Sequence, residues 1–138
     1  MVFVAVTAVI VVAIPLVARS CAGAREAADA ASQEFRTRVS RGEYDEIVRA
    51  ATPEFQNATT ALDFAKAMES VKERLGAWQS SEEPVWKVLA GIKGQTVTLV
   101  YNSHFERGTA TEEFVWQIRQ GRPVLAGYHV KSSAQVAQ

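Results

Sequence analysis

Two alternating stretches constrain this chain more than any other feature. From Thr96 to Glu106 one face carries Val97, Leu99, Tyr101, Ser103 and Phe105, and the other Thr98, Val100, Asn102, His104 and Glu106. Residues 109–118 repeat the pattern with Phe114, Trp116 and Ile118 on the apolar side. A period of two marks half-buried strands. With Arg107-Gly108 as a two-residue turn, Tyr101 would face Phe114, Leu99 would face Trp116 and Val97 would face Ile118, so both strands bury the same face. A further strand follows the turn at Gln120 to Arg122. A three-residue turn there would put Val124, Ala126, Tyr128 and Val130 on the inner face, and a two-residue turn would invert them. Trp86 to Leu89 reads as one more short strand, after a polar loop from Gln79 to Pro84 and before a turn at Gly91 to Gln95.

The preceding residues have a helical period. Ala24, Ala28, Ala31, Phe35 and Val39 form one stripe that ends at Gly42. Tyr44 to Ala51 is a short helix with Tyr44, Ile47 and Val48 inward. Thr52-Pro53 is an N-cap followed by proline at the first helical position. Thr60, with Asp63 three residues on, opens the clearest helix, which carries Phe64, Met68, Val71 and Leu75 on one face and stops at Gly76. Helices first and an antiparallel meander after them give an α+β chain, with the helices covering the apolar face of a curved sheet of three to four strands. At 138 residues the length suits one folded unit.

Residues Val2 to Ala18 contain no charged side chain and would span ~25 Å as a helix, which marks a signal peptide or membrane anchor over 1–20. The single domain is then 21–138, with a flexible tail from about 132. The order Val17, Ala18, Arg19, Ser20, Cys21, Ala22 resembles the processing site of bacterial lipoproteins, which implies a lipid on the sulfur of Cys21. An uncleaved anchor with Cys21 as a free thiol, or a cleaved secreted form, are the alternatives. Arg19, Arg25, Arg36 and Arg38 would by charge bias hold the domain in the cytoplasm. The Ser20-Cys21 junction favours export, giving a membrane-anchored, extracytoplasmic cell-envelope protein.

The Arg74-Leu75-Gly76 end of the third helix, Trp116 in the penultimate strand and the Gly127-Tyr128 pair in the last make residues 24–132 similar to the nuclear transport factor 2-like, or cystatin-like cone, superfamily. In particular, they resemble its small exported bacterial domains of unknown function. The resemblance implies a cone-like fold that hosts both enzymes and binding modules.

Fifteen Lys plus Arg balance fifteen Asp plus Glu, so the chain lacks the basic footprint of nucleic-acid binding. One cysteine excludes an internal disulfide framework or a multi-cysteine zinc site. His104 and His129 have no ligand companion at useful spacing, and His104 and Glu113 fall on the outer face, so neither a metal nor another cofactor is expected. The inward polar residues are Tyr101, Ser103, Glu112 and Tyr128, with Tyr44 from the second helix. Glu112, placed opposite Ser103, could serve as a general base beside Tyr101 or Tyr128, as in small isomerases or dehydratases. A glutamate near a hairpin end more often reaches water, so the expected function is a binding or interaction domain without catalysis. A closed cone packed with Phe35, Leu99, Tyr101, Phe114 and Trp116 would speak against small-molecule chemistry. A cavity of about 300 Å³ or more holding Glu112 would speak for it. On the outer face, Val100 and Val115, read as opposite each other, make a lightly apolar surface for a second copy or another envelope protein.

Overall fold

The computed structural model describes residues 13–132 apart from Lys93, with side chains from Gly23 onward. Four helices precede five strands: α1 (Ala13–Ser40), α2 (Tyr44–Ala50), α3 (Pro53–Ala58), α4 (Ala61–Leu75), β1 (Trp78–Ser81), β2 (Val85–Gly91), β3 (Gly94–Phe105), β4 (Gly108–Arg119) and β5 (Arg122–Ser132). All strand pairs are antiparallel. β1 and β2 both pair with β3, at its two ends, and β4 and β5 follow on its other side.

Local chemistry sets the helix boundaries. Thr52 Oγ1 accepts from the Phe55 amide at 3.2 Å, with Pro53 at the first helical position, and the Thr52 amide donates to the Leu125 carbonyl at 2.8 Å, tying α3 to β5. Thr60 Oγ1 caps α4 through the Asp63 amide at 3.1 Å. Gly76 ends α4 at φ +78°, and a Cβ there would lie 2.8 Å from the Cβ of Glu106, so conformation and space both require glycine. α1 begins earlier than the alanine stripe indicates and runs through position 21. Among the described residues no helix is long and apolar enough to cross a membrane. Residues 2–12 of the apolar run, the Cys21 side chain and the tail from 133 lie outside the described residues.

The sheet has five strands rather than three or four because the stretch from Gln79 to Pro84, expected as a loop, begins with most of β1. Trp78 pairs with Phe105 and Ser81 with Ser103, across an irregularity that a strict alternation test does not see. The β3–β4 register is also shifted. Phe105 faces Gly108, so the turn residues are Glu106-Arg107, one position earlier than expected, and Tyr101 faces Glu112, Leu99 faces Phe114 and Val97 faces Trp116. The cause is tertiary. The Glu106 amide donates to the Ala77 carbonyl and its carboxylate accepts from the Ala77 amide, while Arg107 donates from its amide to Leu75 and from its guanidinium to the carbonyls of Lys72 and Glu73. The end of α4 thus selects the turn. Because the slip is an even number of residues, every side chain keeps its face.

β4 and β5 join through a two-residue turn, Gln120-Gly121, with φ +51° and +76°. Taken alone it buries Leu125 opposite Trp116 and turns Val124 outward, against the expectation for Val124. A bulge between Val115 and Trp116 restores the other phase, placing Tyr128 opposite Phe114 and Val130 opposite Glu112 on the inner face. Val100 lies opposite Glu113 and Val115 opposite Thr98, so these two valines are diagonal neighbours and not a facing pair.

The main core joins Ala28 and Phe35 of α1, Ile47 and Val48 of α2, Phe55 of α3, and Phe64 and Met68 of α4 to Val97, Leu99, Tyr101, Phe114, Trp116 and Leu125 of the sheet. Ala28 has no exposed surface, and its small side chain lets α1 lie close over the strands.

Candidate functional site

A polar network crosses this apolar interface. Asp29, Ser32 and Arg36, spaced by three and four residues, share the face of α1 that carries Ala28 and Phe35. Asp29 accepts a hydrogen bond from the Tyr101 hydroxyl, and Ser32 Oγ accepts from Trp116 Nε1 at 2.9 Å while donating to the Ala28 carbonyl. Arg36 reaches Glu112, with Nη2 3.1 Å and Nε 3.3 Å from Oε1. Both side chains of that pair are at least nineteen-twentieths buried, 5% and 3% exposed.

Four donors converge on Glu112, three on one oxygen and one on the other. Besides the two guanidinium contacts, Oε1 takes the Ser103 hydroxyl at 2.5 Å, and Oε2 takes the Tyr128 hydroxyl at 2.7 Å. Ser103 spends its one proton on Glu112, so in its 2.7 Å contact with Ser81 it accepts, and Ser81 in turn accepts from Trp78 Nε1 at 2.9 Å. Oε1 is thus crowded by three donors, while Oε2 holds one and keeps room for another. The Arg36 guanidinium carbon stacks 4.6 Å from the Trp78 ring centre, 4.4 Å from that of Tyr101 and 5.4 Å from that of Phe114, so three aromatic rings share its charge with Glu112. Burial, with the Glu112 charge close by, pushes the Tyr128 hydroxyl well above its ordinary range, so it is a fixed donor. Tyr101 is likewise raised, first by burial and then by its bond to Asp29.

Next to this network the core opens into a cavity of about 450 Å³ between α1, α4 and the start of the sheet. Arg36, Trp78, Glu112 and Tyr128 line its polar part, and Met68 and Val71 belong to its apolar wall. The cone is therefore packed at its centre but not closed, which is the outcome that speaks for small-molecule chemistry. Phe35, Leu99, Tyr101, Phe114 and Trp116 are all buried, and a cavity above 300 Å³ contains Glu112.

The structure gathers Glu112, Ser103 and Tyr128 into one cluster. Tyr101 stands beside it but turns its hydroxyl to Asp29, and Tyr44 is elsewhere, donating to Glu69 at 2.8 Å; burial and that carboxylate raise its hydroxyl to about 12. Two expectations for Glu112 are corrected: its strand partner is Tyr101, not Ser103, and it is 2% exposed and so does not reach water, because Arg36 meets it inside. His104 and His129 are exposed on the outer face, His104 Nε2 4.0 Å from Glu82. Sequence reasoning missed Asp29, Ser32, Arg36, Trp78 and Ser81. For the first three a signal existed, since polar residues falling inside an apolar helical stripe need buried partners. Comparison with family models, curated proteins and solved structures found no match.

Proposed function

We propose that this chain is a membrane-tethered, extracytoplasmic binding domain that holds a small, mainly apolar molecule in the α1–α4 cavity and performs no reaction on it. The observation that carries this is a carboxylate tied inward by Arg36, Ser103 and Tyr128 at the edge of an otherwise usable cavity. A general base needs a lone pair directed at the substrate, and a tyrosine that polarises a carbonyl must have its proton free to donate. Three donors close Oε1 of Glu112, Oε2 holds the Tyr128 hydroxyl, and Tyr128 thereby spends the proton it would need for a substrate. The paired charges cancel, which leaves a neutral polar end and apolar walls, the make-up of a small-molecule binding pocket. Helices laid over an antiparallel sheet around such a pocket also support membership of the nuclear transport factor 2-like superfamily.

The neutral fluorophore N-phenyl-1-naphthylamine tests the pocket. It should brighten on binding the full chain, and Val39→Trp, which puts a large ring at a half-buried cavity-lining position, should weaken binding at least tenfold with little change in thermal midpoint. Unchanged binding would place the fluorophore elsewhere. The tether is tested separately: a clickable palmitate analogue should label the wild type in cells and not Cys21→Ala, and label surviving the substitution would defeat lipidation at this position.

A further inference from the structure

Among the described residues β2 is an edge strand with one strand neighbour, β3. On its outer face Val85 is 74% and Leu89 59% exposed, and on its inner face Trp86 is 44% exposed beneath the Arg25 guanidinium. Natural edges are usually shortened, bent or charged; this one offers seven residues with one charge, Lys87, and apolar groups on both faces. Its free backbone groups call for another strand.

We propose that β2 pairs antiparallel with β2 of a second copy, joining two five-stranded sheets into one. A two-fold axis normal to the sheet keeps each side chain on its own face, so the pairing must be centred on a residue. Centring on Lys87 sets two lysines against each other, a repulsive cross-strand pair. Centring on Leu89 carries Val85 and Trp86 beyond the partner's Gly91, where the strand ends. Centring on Val88 uses all seven residues. It puts the Trp86 ring against the small Ala90, and Lys87 beside Leu89, along which its aliphatic stem can lie with the ammonium in water. Charge and size thus choose one register. The cavity plays no part in this inference.

Disulfide trapping in the full chain, with Cys21→Ser so that the introduced thiol is alone, tests the register. Val88→Cys should give a covalent dimer under mild oxidation, because residues facing across an antiparallel pair have Cα atoms about 4.5–5.5 Å apart. Leu89→Cys should not, since the two copies of residue 89 would lie about 8 Å apart. Sedimentation in dodecyl maltoside gives an independent readout on exposed positions. The wild type should be a dimer, Leu89→Lys, which faces Lys87 of the other copy, should weaken dimerisation at least tenfold, and Leu89→Glu should preserve it. A monomeric wild type, trapping at Leu89→Cys in place of Val88→Cys, or a dimer indifferent to Leu89→Lys but lost with Val100→Lys would each overturn the proposal.

Discussion

Arg36→Met is expected to destabilise the fold by about 3–5 kcal/mol, because it leaves the Glu112 carboxylate buried without its countercharge. Methionine keeps much of the side chain's length and packing between Trp78 and Tyr101, so what it removes is mainly the charge and its hydrogen bonds. Ser103 and Tyr128 would still donate to the carboxylate, which softens the loss but does not neutralise it. Glu112→Leu should cost a similar amount by stranding the guanidinium. The double substitution should recover most of either loss, since a buried pair replaced by apolar groups of similar volume is often close to neutral. Urea midpoints of the four proteins complete the cycle. A single-substitution loss below about 1 kcal/mol would mean that the pair is hydrated in solution and not enclosed as described.

That outcome also bears on function. If the double variant folds normally and still takes up N-phenyl-1-naphthylamine, the network holds α1 against the sheet while the apolar walls bind the ligand. If it folds but no longer binds, the polar end of the cavity orients the ligand, and Arg36 and Glu112 belong to the binding machinery as well as to the core.

Much of this fold was legible in the chain, and the parts that were not have identifiable causes. Helix ends were readable because caps are local: Thr52, Thr60 and Gly76 act within three or four residues of themselves. The buried faces of β3 and β4 were readable because alternation survives any even slip in register. The register itself was not, since Glu106 and Arg107 are held as the turn by Leu75, Ala77 and the carbonyls of Lys72 and Glu73, some thirty residues back. β5 mixes two phases across a bulge, so Val124 and Tyr128 cannot both obey one alternation. In the candidate site Glu112, Ser103 and Tyr128 could be named from strand parity alone. Arg36 carried a weaker signal, its place beside the apolar stripe of α1; among other arginines it reads as a surface charge, and the closeness of α1 to the sheet, allowed by Ala28, turns it inward.

Phe114→Ala should be the most damaging change among the apolar residues, with a loss of about 3–5 kcal/mol out of a total that for a domain of this size is on the order of 5–15 kcal/mol. Phe114 has no exposed surface and sits in the centre of the aromatic layer. Its ring is 5.1 Å from Phe35 edge-on, 4.9 Å from Tyr128, 5.7 Å from Tyr101 and stacked at 6.2 Å on Trp116. Aromatic contacts of this kind add about 0.5–1.5 kcal/mol each beyond area burial, and truncation forfeits all four together. The backbone cannot collapse to fill the gap, because Phe114 lies on a central strand paired with Leu99 on one side and Tyr128 on the other. Phe35 and Tyr128 also line the cavity, so the space left by the ring would adjoin it and loosen the wall that faces the ligand. Phe114→Leu, which retains much of the volume, should cost well under half as much. The two urea midpoints, read with N-phenyl-1-naphthylamine affinity, separate the possibilities: equal losses for alanine and leucine would mean that ring geometry and not volume governs the layer. Undiminished stability in Phe114→Ala would show that α1 is not seated on this sheet as described.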